Sequence, residues 1–325
     1  MMKKQDIKKN FIITIDTEGD NLWEYTLNEK IETRNTAYLP RFQMLCNKYG
    51  YKPVYLSNYE MINSNMFIDF VSKEAELGNC EIGMHLHAWN TPPEYMLPNK
   101  QNNAGLPYLI EYPREIMEEK IDTMTDLIYQ RTGYRPVSHR AGRWTMNQNY
   151  FDILIDHGYM VDCSITPYIN WVSSKGYTQG SVGSDYRKSE RKSNYIYASS
   201  GKNRILEVPV TTYRKIIPKV YQGEGIKSVL KTAYSFADRK VIWLRPMVYN
   251  LKEMMRVIEL NEQSDSDYLM FMIHSSELMP GGSPTFKNNE EIEELYKMID
   301  IIFERIRESY IGVTLAQYAN GRKIE

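Results

Sequence analysis

Two of the chain's five histidines, His85 and His87, stand two residues apart in the stretch EIGMHLHAW, where a short apolar segment ends. Earlier in the chain FIITIDTEGD ends in the same manner, with Asp16 and Glu18 two apart. Residues two apart in an extended segment point to the same side, so each pair can face one pocket. A carboxylate with two imidazoles is the donor set of a catalytic zinc site that keeps a position open for water. A second carboxylate beside that water is placed to act as a general base. Four more short apolar segments end on polar groups: Arg140 in PVSHR, Asp162 after YMV, Arg245 after VIWL, and His274 in LMFMIH. Barrels and open α/β sheets gather their active sites at the carboxyl ends of their strands. Six such ends therefore point to one location.

Each of these residues also has an ordinary reading. A histidine at a strand end, His274 included, is often a hydrogen-bonded structural residue. His85 and His87 need not hold a metal, and Asp16 with Glu18 could be a turn and a helix cap. Arg140 and Arg143 could be a surface pair, and Arg245 an ion pair at a rim. His139 is expected on the opposite side of its strand from Arg140, and His157 at a helix end beside Gly158; neither is assigned a role.

The elements that must position these groups are legible as alternation. Strand candidates at 11–16, 53–58, 80–85, 136–140, 159–164, 205–210, 241–247 and 269–274 are separated by helical patterns. The longest helical patterns follow Pro113, ending at Gly133, and span about 289–308. Such alternation predicts a mostly parallel sheet, open or closed. The strands are short and nearly continuous in apolar character, as expected when both faces are covered. Two polar stretches, 90–112 and 165–204, interrupt the rhythm, and loops of that length in a compact chain are usually functional. No internal repeat or linker divides the chain, so residues 1–325 are expected to form one domain with a loop insertion at about 165–204.

Bulk properties narrow the function classes. The chain has 325 residues, 40 Lys plus Arg against 41 Asp plus Glu, and 42% hydrophobic residues. This balance gives no broad field to recruit nucleic acid or an anionic membrane. Three widely spaced cysteines suggest neither a disulfide framework nor a cysteine zinc site. The start, MMKKQDIKKN, has no hydrophobic signal region, and no apolar run approaches the length of a membrane span. A cytoplasmic protein is the expectation.

Six segments, in order, resemble the NodB-homology polysaccharide deacetylases, carbohydrate esterase family 4. They are TIDTEGD (14–20), EIGMHLHAW (81–89), HRAGRW (139–144), VDCSITP (161–167), LEVPV (206–210) and MIHSSELMPGGSP (272–284). The resemblance spans about residues 11 to 318 and is nearest to the branch tied to cell-surface polysaccharide biosynthesis. It implies a distorted (β/α) barrel of seven or eight mostly parallel strands with long loops at the carboxyl ends. It also implies a divalent metal, usually zinc, and hydrolysis of the N-acetyl group of a sugar, in a polymer or in a lipid-linked or nucleotide-linked precursor. Carried over by residue, Asp16 matches the catalytic base, Glu18 and His85 metal ligands, Arg140 the residue that holds the base, and His274 the general acid. Asp162 stands where a carboxylate tuning that acid is expected. The sequence departs from the commonest pattern at two places: Asp-Thr-Glu replaces adjacent aspartates, and Trp89 stands where the second histidine is usual, leaving His87 as its substitute. Trp89, Trp144, Trp171 and loop tyrosines are candidates to stack on a sugar, or packing residues beneath the loops. Arg245 is a candidate contact for an anionic part of the substrate. Two alternatives stand beside this reading: an amidohydrolase for another acyl or non-sugar amide, and a metal-free glycan-binding protein.

Overall fold

The computed structural model describes residues 8–20, 22–23, 30–95, 105–216 and 239–322, with the side chains of Ile216 and Arg239 excepted. Strand β1 (Lys9–Thr17) shows why the chain folds as it does. Its odd-numbered apolar residues Phe11, Ile13 and Ile15 join a large apolar cluster with helix residues such as Phe42, Ile299 and Phe303. Ile12 joins a smaller cluster with Val54, Leu56, Val161, Leu206 and Met270. Side chains alternate across a strand, so the even positions face the sheet's inner side. Thr14 and Asp16 continue that inner row, and both are buried.

The sheet is mostly parallel and strongly curled, forming a distorted, partly open (β/α) barrel. Its strands are β2 (Pro53–Ser57), β3 (Glu81–Leu86), β4 (Ser138–Ala141), β5 (Val161–Asp162), β6 (Asn194–Tyr197) and β7 (Arg204–Glu207). A short ribbon, β8 (Thr212–Ile216) with β9 (Arg239–Trp243), pairs antiparallel and separately. The sheet continues in β10 (Tyr268–His274) and β11 (Tyr310–Gly312). The order is β10-β1-β2-β3-β4-β5-β7-β6, with β11 pairing to the start of β1 and only β6 running antiparallel to its neighbour. The 241–247 segment thus departs from the expected parallel strand: it pairs with β8 through Trp243. Just beyond it the Leu244 carbonyl accepts from Met272 N of β10 at 3.2 Å. That contact lays the segment against the strand bearing His274 and delivers Arg245 to the barrel mouth.

Helices α1 (Leu39–Lys48), α2 (Tyr59–Asn63), α3 (Asn65–Glu76), α4 (Arg114–Thr132), α5 (Gln148–Asp156), α6 (Leu251–Glu262), α7 (Asn289–Ile306) and α8 (Leu315–Gly321) accompany the strands. Helix α7 buries Ile292, Leu295, Ile299, Ile302, Phe303 and Ile306, the stripe its spacing predicts. Helix α4 stops at Gly133, whose φ of 77° glycine adopts without steric cost. No described helix is long and apolar enough to cross a membrane.

Register, more than proximity in sequence, assembles the functional end. Asp16 lies opposite His274, His85 opposite Arg140, and His139 opposite Asp162 in adjacent parallel strands.

Candidate active site

Strand β1 delivers Asp16, and the chain then leaves the sheet so that Glu18 turns inward. The Glu18 backbone is pinned there: its N–H donates to Ser275 Oγ at 3.0 Å, and its carbonyl accepts from Asn35 Nδ2 at 2.6 Å. Strand β3 delivers His85, and His87 follows one pleat later. Gly142 makes room for it, since a Cβ there would lie 2.6 Å from the Leu86 carbonyl and 2.9 Å from His87 Cδ2.

Glu18, His85 and His87 converge. His85 Nε2 and His87 Nε2 are 2.9 Å apart, and Glu18 Oε2 lies 3.6 Å from the first and 3.2 Å from the second. Three ligands about 2.1 Å from a tetrahedral ion stand about 3.4 Å apart, so the triangle has the size and the donor chemistry of a zinc-type site. His85 Nδ1 donates to the Arg140 carbonyl at 3.0 Å, which leaves its Nε2 lone pair free, the usual support behind a metal-binding imidazole. His87 is held differently, by stacking on Trp89 (ring centroids 4.3 Å apart) and by a 3.4 Å contact between its Nδ1 and Asn58 Nδ2. Ligation through Nε2 places the His87 proton on Nδ1, and so calls for a longer contact or a turn of the Asn58 amide.

Arg140 is fully buried across the barrel interior. It donates to Asp16 Oδ1 at 2.5 Å, to Thr14 Oγ1 at 3.0 Å and to the Cys163 carbonyl at 3.1 Å. Burial by itself raises the Asp16 carboxyl, but Arg140, His85 and His274 outweigh it and hold the group below its ordinary value. Burial likewise opposes ionisation of Glu18, and His274, His85 and His87 pull it below the usual carboxylate range.

His274 Nε2 lies 3.7 Å from Asp16 Oδ2 and 3.9 Å from Glu18 Oε1. Its other nitrogen, Nδ1, lies 3.1 Å from Glu277 Oε2. Burial raises the Glu277 carboxyl, but Arg245 and His274 bring it down to about 2, so it is ionised and accepts the Nδ1 proton. Arg245 donates to Glu277 Oε1 at 3.0 Å and lies 3.2 Å from His274 Nδ1.

Asp16, Glu18, His85, His87 and His274 line a cavity of about 370 Å³, with Arg140 and Glu277 behind its wall. Trp23, Trp89, Trp144 and Trp171, four of the chain's five tryptophans, line it as well, together with Tyr108, Arg143 and Arg245. The structure therefore brings Asp16, Glu18, His85, His87, His274, Trp89, Trp144 and Arg245 to one cavity, with Arg140 directly behind. It does not bring Asp162. That carboxylate bonds His139 Nδ1 at 2.6 Å and Ser164 Oγ at 2.8 Å, because its strand neighbour is β4 and it faces the histidine that points away from the mouth. Glu277 holds the position expected of it. The sequence reading missed Glu277, although its spacing three residues after His274 in a short 3-10 turn is the signal of a side chain folding back on the preceding backbone. Trp23 was missed too; its ring packs edge-on against His274, centroids 4.9 Å apart.

No protein-family profile matches this sequence, and no curated protein does. Solved structures do. A protein described as a polysaccharide deacetylase from Mycobacterium smegmatis matches at 14% identity and a TM-score of 0.54, over 98% of this chain and 92% of that one. One described as a glycoside hydrolase/deacetylase from Parabacteroides distasonis matches at 12% identity and 0.59, over 98% and 72%. A 4-alpha-glucanotransferase from Thermococcus litoralis matches at 15% identity and 0.58, over 97% of this chain but 41% of its own. The likeness is one of fold: the chain has the fold of the polysaccharide deacetylases, and the glucanotransferase contains a similar core.

Proposed function

We propose that this chain, built on the polysaccharide-deacetylase fold, hydrolyses the N-acetyl group of an amino sugar, with Glu18, His85 and His87 holding a divalent metal, usually zinc for such donors. The arrangement that carries the reading is the convergence of those three ligand atoms between a carboxylate fixed by arginine, Asp16, and an imidazole fixed by carboxylate, His274. A bound ion would supply Lewis acidity toward the amide oxygen and lower the pKa of a nearby water.

The chain's own groups account for the proton movements. Asp16, kept ionised by Arg140, takes a proton from water as the water adds to the amide carbon. Thr14 and the Cys163 carbonyl fix the guanidinium, so the base is held in one orientation. His274, with Nδ1 committed to Glu277, presents Nε2 to the reacting group and protonates the departing amine. Amide cleavage needs that proton because an amine anion is a very poor leaving group. The indoles supply flat apolar faces suited to a sugar ring. The resemblance to the cell-surface branch supports a surface polysaccharide or its precursor as the source of that sugar.

The glucanotransferase likeness raises a second reading, glycosyl transfer. That chemistry pairs an ionised carboxylate with a carboxylic acid whose pKa is raised. Among the described residues the cavity's carboxylates, Asp16 and Glu18, are instead held below their ordinary values, and three imidazoles surround them. The hydrolase reading fits better.

Purified protein is expected to hold about one zinc or similar ion per chain by elemental analysis, and to release acetate from N-acetylated amino sugars. A wild type that stays metal-free after supplementation and releases no acetate would overturn the reading in favour of a glycan-binding protein.

A further inference from the structure

We propose that Arg143 makes this cavity selective for acetamido sugars that carry an anionic group, a carboxylate or a phosphate. The proposal deepens the deacetylase reading and rests on it for the acetyl chemistry. It stands on the charge balance of the cavity wall. Asp16 is answered by Arg140, Glu277 by Arg245, and Glu18 lies among imidazoles. Among the described residues Arg143 has no such answer. Its side chain lines the cavity, its residue is exposed, and among the described residues it forms no ion pair and no side-chain hydrogen bond. Its guanidinium lies over the Trp89 ring, 5.1 Å from guanidinium carbon to centroid, and its charge acts on the neighbouring Tyr108 hydroxyl. Trp89 stacks in turn on His87, so the guanidinium stands one indole away from a proposed metal ligand.

The backbone adds an independent observation. Arg143 and Trp144 both adopt the left-handed region, with φ of 56° and 60°. For residues other than glycine this conformation costs free energy and is held only where the surroundings impose it. Here it separates two arginines three residues apart: Arg140 runs into the barrel interior, while Arg143 turns out onto the cavity rim.

A guanidinium is planar, weakly hydrated and always charged, and its paired N–H groups match the two oxygens of a carboxylate or phosphate. An unpaired one beside aromatic walls raises the local concentration of anions and fixes their orientation. A neutral acetamido sugar gains nothing from it. An acetamido sugar bearing a carboxylate on its ring, or a phosphate at its reducing end, gains a second anchor beyond the acetyl group.

The test compares kcat/KM on three probes: the neutral methyl glycoside of N-acetylglucosamine, N-acetylglucosamine 1-phosphate and an N-acetylated amino uronate. Wild type is expected to prefer at least one charged probe by about tenfold, the factor given by about 1.4 kcal/mol of differential binding. The preference should lie in KM. Arg143→Met should lose several-fold more on the charged probe than on the neutral one, and Arg143→Lys, which keeps the charge without the planar fork, should lose less. Which charged probe is preferred separates carboxylate from phosphate. No preference in wild type, or equal losses on charged and neutral probes in Arg143→Met, would overturn the proposal. If no probe is hydrolysed, the deacetylase reading fails by itself. Calorimetric binding of the same probes then decides: tighter charged-probe binding that disappears in Arg143→Met upholds the role of Arg143, and equal binding of charged and neutral probes ends it. A metal content and melting temperature matching wild type show that the variant is folded.

Discussion

The sheet holds two buried groups of histidine and carboxylate, and they differ in where their nitrogen lone pairs go. In the sealed group, His139 is committed at both nitrogens, Nδ1 to Asp162 at 2.6 Å and Nε2 to Tyr150 Oη at 2.8 Å. Glu207 completes it, and His139, Asp162 and Glu207 are wholly excluded from solvent. In the open group, the Nε2 atoms of His85, His87 and His274 face one another and the carboxylates Asp16 and Glu18, and all five residues line a cavity. The groups meet in one strand, at His139 and Arg140. The same residue types are structural where both imidazole nitrogens are committed to protein partners away from any cavity, and form a site where several lone pairs converge on a space a ligand can enter.

The sharpest way to break the comparison is to disable the open group's base without changing its shape. Asp16→Asn keeps the volume and removes the charge. It is expected to lower kcat by about 10³-fold or more, within the range general-base catalysis supplies, while metal content stays at the wild-type level. Near-normal turnover in steady-state assays would remove Asp16 from the base role.

Paired alanine substitutions test the contrast itself. His87→Ala should lose most of the bound metal and remain folded. His139→Ala should keep the metal and lose stability by about 3–5 kcal/mol, because it leaves the buried Asp162 charge without its partner. Elemental analysis and urea unfolding read the two outcomes side by side. Metal loss from both would show that the sealed group positions the open one.

A smaller effect separates roles within the open group. His274→Ala should slow amide hydrolysis by about 10²-fold and an activated ester by much less, since the ester's leaving group needs no proton. Equal losses on the two substrates would assign His274 to binding instead of proton delivery.

Much of this contrast was legible in the sequence, and the illegible part has physical reasons. Strand alternation and the two-residue spacings placed Asp16, Glu18, His85 and His87 on one side, and strand parity alone set His139 against Arg140. Asp162 was misjudged because a strand end tells which edge of the sheet a residue reaches, not which neighbouring strand it meets; β5 pairs with β4 and β7, and the Asp162 carboxylate turns to His139. Glu277 was hidden because a short turn, not a strand, returns it to His274. The left-handed backbone at Arg143 and Trp144 has no signature in residues that are not glycine. The 241–247 segment had the composition of a buried strand but not its partner, since pairing is set by tertiary register.

The sealed group makes a prediction of its own, in stability and pH instead of rate. Burial, and then the Asp162 charge, push the Glu207 carboxyl well above its ordinary value, while His139 overcomes burial to keep Asp162 below its own. The pair therefore retains a proton, and Glu207 Oε2, which finds no hydrogen-bond donor, is the oxygen placed to carry it toward Asp162. As pH rises through the ordinary glutamate range, the unfolded chain releases this proton and the folded chain keeps it. The unfolded state then binds fewer protons than the native one, so stability falls with pH, by up to about 1.4 kcal/mol per pH unit, until the folded value is reached. Glu207→Gln has no proton to lose and can still donate to Asp162. It should flatten the decline, so that urea unfolding between pH 5 and 8 separates the variant from wild type increasingly at the upper end. Parallel pH profiles would mean that Glu207 ionises inside the protein, and that the sealed group is not closed to solvent after all.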